Sequence, residues 1–167
     1  MGVLTLKYEE EKIYMFCDFY FDSNYSFEEQ KKMILNKFIH SPVIRLYDSI
    51  DEMLLRNSKI EELVIVFDAF CFEMNSIEDY QKFKSEEYSI RIDIQVHFDI
   101  YTDVADWDKE MMKLLNYLIR DFVNNCILEY YAIPVLKIIN GNVEVDESKS
   151  GRLNSLPFDI LDCIHYL

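Results

Sequence analysis

Residues 88–101 read Tyr-Ser-Ile-Arg-Ile-Asp-Ile-Gln-Val-His-Phe-Asp-Ile-Tyr, with an apolar or aromatic side chain at every second position and polar side chains between them. Successive side chains of a β-strand point to opposite faces of the sheet, so this alternation predicts a long strand with one dry face and one polar face. Such a strand is typical of an antiparallel sheet that is solvated on one side and covered by helices on the other.

Further strands are predicted on both sides of this stretch. Residues 12–22 alternate in the same way, with a core face and a mixed face of charged and aromatic side chains. Residues 63–74 are apolar on both faces apart from Asp68 and Glu73, a pattern that predicts a single strand near the centre of the sheet. Asn140-Gly141 separates two short apolar segments and predicts a hairpin, because both of these residues tolerate a positive φ.

Helix starts are predicted by three capping boxes, each with a serine followed three residues later by an acidic side chain. They lie at residues 26–29, 49–52 and 76–79. The third box opens a short helix that is predicted to turn Ile77, Tyr80 and Phe83 inward. A longer helix, capped by Asp106, is predicted from the helical spacing of apolar side chains over residues 107–127, and a last helix is predicted from residue 155.

The predicted elements combine into one architecture. With a first strand over residues 3–8, their order is ββααβαβαββα. This order predicts an α+β fold, mainly an antiparallel sheet with helices packed on one face, in which residues 1–167 form a single globular domain. Only three Gly and three Pro are present, so no linker or disordered tail is predicted.

The charge balance is the most informative number in the composition. The chain has 31 acidic and 17 basic residues, which gives a formal net charge of -14 at pH 7. Such a field repels phosphate backbones and anionic lipid surfaces, and it accelerates encounter with cationic partners. A basic protein partner is therefore expected, and direct binding to nucleic acid or to a membrane is disfavoured.

The chain is expected to lie in the cytoplasm. Its first eight residues lack the basic and continuous apolar segments of a secretory signal, and its longest apolar stretch, residues 63–72, is too short to cross a bilayer. Four widely spaced cysteines include no Cys-x-x-Cys pair. That spacing favours free thiols in a reducing compartment over disulfides or a zinc site.

His97 is the histidine with a candidate chemical role. On its predicted strand it shares a face with Asp93, Gln95 and Asp99, and a base flanked by carboxylates can take part in proton transfer. The preferred interpretation is an ordinary polar strand face, open to water or to another protein. No nucleophile elbow, Gly-rich phosphate loop or zinc-binding helix motif is present, so the chain is predicted not to be an enzyme.

Acidic side chains are concentrated where the strand at residues 88–101 passes into the next helix. This cluster lacks the glycine and terminal glutamate of a calcium-binding loop, so no metal or cofactor is predicted. Carboxylates mixed with tyrosines are typical of a protein-binding surface, because carboxylates steer a basic partner and tyrosines supply contact area. The residues predicted to bind the partner are Asp99, Tyr101, Asp103, Asp106, Asp108, Tyr20 and Asp22.

In size, acidity and lack of a catalytic motif the chain resembles, in general character only, the immunity proteins with which bacteria neutralise nuclease or pore-forming toxins. That resemblance implies a non-enzymatic inhibitor that occludes a basic toxin. Two alternatives stay open. One is a phage or regulatory interaction protein that mimics nucleic acid, and the other is a small enzyme that uses His97 with Asp93 or Asp99.

Overall fold

The computed structural model describes residues 14–38, 45–53, 58–146 and 156–166. The strands in these ranges are β1 (Tyr14–Phe21), β2 (Arg45–Met53), β3 (Ser58–Val66), β4 (Phe70–Ile77), β5 (Ile94–Tyr101), β6 (Cys126–Tyr130), β7 (Ile133–Ile139) and β8 (Asn142–Val145). The helices are α1 (Phe27–Phe38), α2 (Glu78–Tyr88) and α3 (Trp107–Asp121), followed by 3₁₀ helices at Phe158–Ile160 and Asp162–Tyr166.

All of these strands belong to one antiparallel sheet, in the order β2-β3-β4-β5-β1-β6-β7-β8. The two middle strands, β5 and β1, pair along their full length, with Phe98 opposite Cys17 and His97 opposite Asp18. Along β5 the apolar side chains are buried and the polar ones are partly exposed. The predicted antiparallel sheet is therefore confirmed, and the strand with the strongest sequence pattern lies at its centre.

One face of the sheet carries the main hydrophobic core. The side chains of α1, α3 and the first 3₁₀ helix join the sheet residues Phe19 and Phe98 in a single buried cluster. The shorter helix α2 contacts the opposite face instead, where Tyr80 and Lys84 bond to sheet residues. The predicted α+β fold is confirmed, with its two longer helices on one face of the sheet.

Residues 63–74, predicted as one central strand, instead form most of a hairpin. β3 ends at Val66 and β4 begins at Phe70, and the Phe67 amide donates to the Phe70 carbonyl at 2.9 Å across the turn. Asp68, the exposed residue that interrupts the apolar run, lies in this turn. An apolar run alone does not distinguish one long buried strand from two shorter ones.

Two segments predicted as helical are strands. Residues 49–52, predicted as a capping box, lie within β2, which pairs with β3 along its whole length. Helix α3 ends at Asp121, and residues 126–130 form β6 between β1 and β7. All five β6 side chains are buried, and a strand that is buried on both faces shows no alternation in its sequence. Pairing with neighbouring strands overrides the local helix signals at both places.

Helix α2 also differs from its prediction. It runs to Tyr88, so that residue does not belong to β5. Tyr80 and Phe83, predicted to face inward, are exposed, and Phe83 is 61% exposed. The side chain that α2 buries is Lys84, because its partner is a buried carboxylate on the sheet rather than an apolar surface.

The remaining predicted elements have mixed outcomes. The hairpin at Asn140-Gly141 is confirmed, and these residues have φ angles of 51° and 80°. Asp106 directly precedes α3 but makes no side-chain cap, because its own φ is 60°. The last helix is present only as the two 3₁₀ helices. The strand predicted over residues 3–8 lies outside the described residues.

Ser26→Ala is expected to lower the free energy of unfolding by about 1 kcal/mol. The Glu29 amide donates to Ser26 Oγ at 3.2 Å and the Ser26 amide donates to Glu29 Oε2 at 2.7 Å, so the capping box predicted at residues 26–29 is confirmed. Alanine removes the acceptor at the start of α1. The loss is measured as a shift of the urea midpoint. Ser26→Thr keeps the hydroxyl, and an equal loss in both variants would contradict a capping role.

Candidate functional site

The face of the sheet opposite α1 and α3, which we call the polar face, carries a row of ionisable side chains. Glu73 on β4 lies opposite His97 on β5, and His97 lies opposite Asp18 on β1. Asp99 follows two residues after His97 and therefore shares the same face of β5. Directly opposite residues have Cβ atoms about 5 Å apart, so His97 lies within reach of the side chains on both neighbouring strands.

His97 is held between two carboxylates. Its Nδ1 lies 2.7 Å from Asp18 Oδ1, and its Nε2 lies 3.1 Å from Asp99 Oδ1. The side-chain amide of Gln95 donates to the same Asp18 oxygen at 3.0 Å. Both ring nitrogens therefore face acceptors, an arrangement that favours the imidazolium form, which can donate from both nitrogens.

These contacts raise the pKa of His97 to about 9. The hydrogen bond that His97 donates to Asp18 is the main cause, and partial burial of the ring opposes it. The pKa of the Glu73 carboxyl is also raised, mainly by burial and then by the nearby charge of Asp99. His97 therefore carries a positive charge at neutral pH, whereas a general base must be unprotonated at the working pH.

An aromatic pair borders the charged row. Phe16 lies opposite Asp99 in the strand register. Its ring centroid is 5.8 Å from that of His97 and 4.7 Å from that of Tyr131, with the Phe16 and Tyr131 rings edge to face. Tyr131 lies in the turn between β6 and β7 and is 38% exposed. We call Phe16, Tyr131 and Asp99 the aromatic corner.

Five of the seven residues predicted to bind a partner lie at the end of β5 or in the segment that directly follows it. They are Asp99 and Tyr101 on β5, then Asp103, Asp106 and Asp108 in the loop and first turn that follow. The Asp99 side chain is 45% exposed, and Asp103 and Asp106 are exposed. Lys109 pairs with Asp106 at 3.4 Å. Four aspartates and one lysine leave a surplus of negative charge, and we call Asp103, Asp106 and Asp108 the acidic loop.

Tyr20 and Asp22, the other two predicted contact residues, do not lie on the surface. Tyr20 is 1% exposed, and its hydroxyl lies 3.0 Å from the hydroxyl of Tyr80. Asp22 is buried, and its Oδ1 accepts a hydrogen bond from the Asn125 amide at 2.6 Å. This bond attaches the connection between α3 and β6 to the end of β1. Both residues support the fold, and neither side chain reaches a partner in this conformation.

A buried ion pair lies beneath α2 on the polar face. Lys84 Nζ is 3.0 Å from Glu129 Oε1, and the two residues are 7% and 2% exposed. Glu129 also accepts a hydrogen bond from the Tyr88 hydroxyl, and Lys84 lies 3.0 Å from Glu87 Oε2. Lys84 Nζ is also 5.0 Å from the ring centroid of Tyr20. Polar contacts therefore attach α2 to the sheet.

No protein-family model matches the chain, and no curated protein or solved structure matches it either. Any proposal for the function of the chain therefore rests on the geometry of the polar face. Of the two aspartates considered with His97 in the enzyme alternative, Asp99 contacts the ring, whereas Asp93 bonds to Arg91 at 2.6 Å. The second carboxylate at His97 belongs to Asp18 on the neighbouring strand.

A cavity of about 610 Å³ lies between α1, α3 and the β3–β4 turn, and His97 is not among the residues that line it. Within the described ranges, no group of three or more His, Cys, Asp or Glu side chains is arranged to hold a metal ion. The helices in the described part of the chain are all too short or too polar to span a membrane.

Sequence reasoning did not select Phe16, Asp18, Glu73 or Tyr131 as site residues. Alternation predicts Phe16 and Asp18 on the mixed face of their strand, but only the pairing of β1 with β5 brings them to His97. Glu73 is visible in the sequence as a charge within an apolar run. Nothing in the sequence marks the turn at Tyr131, because its residues adopt positive φ angles although neither is Gly or Asn.

Proposed function

We propose that the chain is a non-enzymatic inhibitor that binds a basic protein through Asp99 and the acidic loop, in the manner of an immunity protein that neutralises a bacterial toxin such as a nuclease. The observation that carries the proposal is the grouping of Asp99 with the acidic loop in a chain of formal net charge -14. A concentrated negative field speeds encounter with a cationic protein and disfavours nucleic acid and anionic membranes.

The state of His97 argues against an enzyme in which this residue is the general base. A pKa of about 9 keeps the ring protonated at neutral pH, and each ring nitrogen is engaged by a carboxylate. A proton acceptor for catalysis needs a free lone pair within reach of a substrate. The imidazolium instead fixes Asp18 and Asp99 in place, which makes His97 part of a preorganised surface.

We also propose a cytoplasmic location, where an inhibitor meets a toxin before its export or after its entry. None of the cysteines Cys17, Cys71, Cys126 and Cys163 forms a disulfide in the structure. Free cysteines are typical of proteins from reducing compartments, and this supports the location.

The direct test is co-expression of the chain with the basic protein encoded next to it. The inhibitor proposal expects the chain to restore growth when that protein is toxic, and to form a stable complex with it on size-exclusion chromatography. Failure to restore growth against every neighbouring gene product would overturn the proposal. A complex from which DNA displaces the chain would instead favour the nucleic-acid mimic.

Replacing the three aspartates of the acidic loop with asparagine is expected to slow association with that partner about tenfold at low salt. The reason is the loss of long-range attraction, so the difference should shrink as salt rises. Stopped-flow fluorescence over a range of salt concentrations measures the rates. The charge-matched control replaces three exposed glutamates outside the acidic loop, Glu28, Glu78 and Glu86, with glutamine. Equal slowing in both variants would mean that net charge, and not this surface, steers the encounter.

A further inference from the structure

The cavity between α1, α3 and the β3–β4 turn is lined by a row of aromatic side chains. We call Tyr117, Phe38, Phe67 and Phe70 the aromatic row. The Phe38 ring packs edge to face on Tyr117 and on Phe67, with centroids 6.0 Å and 5.3 Å apart, and Phe67 lies 5.1 Å from Phe70. The cavity volume of about 610 Å³ falls within the range of roughly 300–1,000 Å³ that is usual for small-molecule sites. The aromatic row therefore offers an apolar wall to a ligand of that size.

The charged residues that line this cavity reverse the charge balance of the chain. Three of them are basic and two are acidic, whereas the whole chain has 17 basic and 31 acidic residues. The five are Lys37, Lys113, Arg120, Asp68 and Glu110. All of them are exposed, so they lie at the mouth of the cavity rather than inside it. A small excess of positive charge therefore surrounds an apolar cavity in a strongly acidic protein.

Within the described ranges, Lys37 is the cation at this mouth that forms no ion pair. Lys113 is paired with Glu110 at 3.2 Å, and Arg120 is paired at 3.0 Å with the carboxylate of the residue that follows it. The Nζ atom of Lys37 instead lies 5.1 Å from the centroid of the Tyr117 ring. This contact holds the ammonium at one end of the aromatic row.

We propose that this cavity binds a small amphipathic carboxylate, with its apolar part along the aromatic row and its carboxylate on Lys37. In such a pocket the apolar surface supplies most of the affinity, and a single polar contact fixes the orientation of the ligand. The carboxylate supplies the negative charge that Lys37 lacks. The inference goes beyond the proposed inhibitor, because neither His97 nor the polar face takes part in it.

The acidic loop makes the sign of the ligand's charge informative. Val104 and Ala105 also line the cavity, and they lie between Asp103 and Asp106 in the chain. The general field of the protein therefore favours a cation, and a preference for an anion requires a short-range contact such as the one with Lys37. At about 0.15 M salt the field of exposed charges is screened beyond about 8 Å, whereas a direct ion pair in a partly buried site is screened less.

The test compares decanoate with decyltrimethylammonium, two probes with tails of equal length and opposite charge, by isothermal titration calorimetry of the full chain at about 0.15 M salt. The chain is expected to bind one decanoate roughly threefold to tenfold more tightly than the cation. Lys37→Met keeps the side-chain stem on Tyr117 and removes the charge. It is expected to weaken decanoate binding about fivefold and to abolish the preference for the anion.

Lys32→Met is the matched control. Lys32 is an exposed lysine of the same helix that does not line the cavity, so this variant changes the net charge equally and should leave decanoate binding unchanged. Amide chemical shifts of the unmodified chain give the location of the ligand. Decanoate is expected to shift the amide signals of Phe38, Ala69 and Val104, which line the cavity, more than those of the polar face.

Three results would overturn the inference. The first is no measurable binding of decanoate, and the second is an equal loss of affinity in Lys37→Met and Lys32→Met. The third is equal binding of the two probes or a preference for the cation, which would indicate a site selected by apolar surface or by the general field, such as one for a side chain of a protein partner. The co-expression test of inhibition does not depend on this cavity, so the two proposals can fail separately.

Discussion

Replacing Lys84 with methionine is expected to lower the free energy of unfolding by about 3–5 kcal/mol, which is a large effect for one residue of α2. Methionine is a good helix former, and its chain follows the path of the lysine stem. What it removes is the cation 3.0 Å from Glu129, whose carboxylate is only 2% exposed. A buried charge that loses its partner keeps its full desolvation cost.

Lys84 keeps its charge despite burial. Burial lowers the pKa of Lys84, but the hydrogen bonds with Glu87 and Glu129 outweigh that effect, and its pKa is raised. The lysine therefore stays charged in the folded protein. Urea unfolding gives the free energy of unfolding, and amide exchange shows which element opens first. Because this pair attaches α2 to the sheet, α2 should lose protection before the core strands do.

Two controls separate the ion pair from other effects of the substitution. Lys82→Met changes an exposed lysine on the same helix and should shift the free energy of unfolding by no more than about 0.5 kcal/mol. The double variant Lys84→Met/Glu129→Gln removes both charges and leaves an acceptor for the Tyr88 hydroxyl. It should be more stable than Lys84→Met alone, and a double variant as unstable as the single one would show that packing, not charge, accounts for the loss.

The parts of the fold that the sequence predicted are those where local pattern and tertiary position agree. Apolar and polar residues alternate along β5 because one face of the strand packs on the core and the other is partly exposed. Asn140-Gly141 forms its hairpin because few other residue pairs accept two positive φ angles in succession. The capping box at residues 26–29 predicts the start of α1 correctly because its two hydrogen bonds join residues only three positions apart. None of these signals depends on a distant partner.

The errors arise where a distant partner decides the local structure. Residues 49–52 have the composition of a capping box, yet pairing with β3 draws them into a strand. Helix α2 has its apolar residues at helical spacing, yet it exposes Phe83 and buries Lys84. The reason is Glu129, 45 residues later in the chain, which was predicted beyond the end of a helix and lies in β6. A sequence pattern cannot show such a pairing.

The residues of the candidate site also fall into those that the sequence predicted and those that depend on a distant partner. Asp99 and the acidic loop were predicted because they are neighbours in sequence, at the junction of a strand and a helix. The contacts of His97 with Asp18 required the register of β1 against β5, and the aromatic corner required the strained turn at Tyr131. Tyr20 and Asp22 were selected for their residue types, but burial removes both from the surface.

His97 is expected to make the stability of the protein depend on pH between about 6.5 and 9. Its pKa is raised from 6.5 to about 9 in the folded protein, so the folded state holds the proton more tightly than the unfolded state. The stabilisation is fully present below pH 6.5 and is lost as the pH rises through 9. Discounted for solvent screening of the partly exposed ring, it corresponds to about 2–3 kcal/mol. Asp18 and Asp99 are the charged groups that provide it.

His97→Gln isolates this contribution, because glutamine is uncharged yet still donates one hydrogen bond. Urea unfolding at pH 6 should find the variant less stable than the unmodified chain by about 2–3 kcal/mol. At pH 10 the two should be nearly equal, because the imidazole is then neutral in both the folded and the unfolded chain. A difference that stays constant from pH 6 to pH 10 would mean that His97 acts through its packing on Phe16 rather than through its charge. The polar face would then lack the fixed imidazolium that orients Asp99 for a partner.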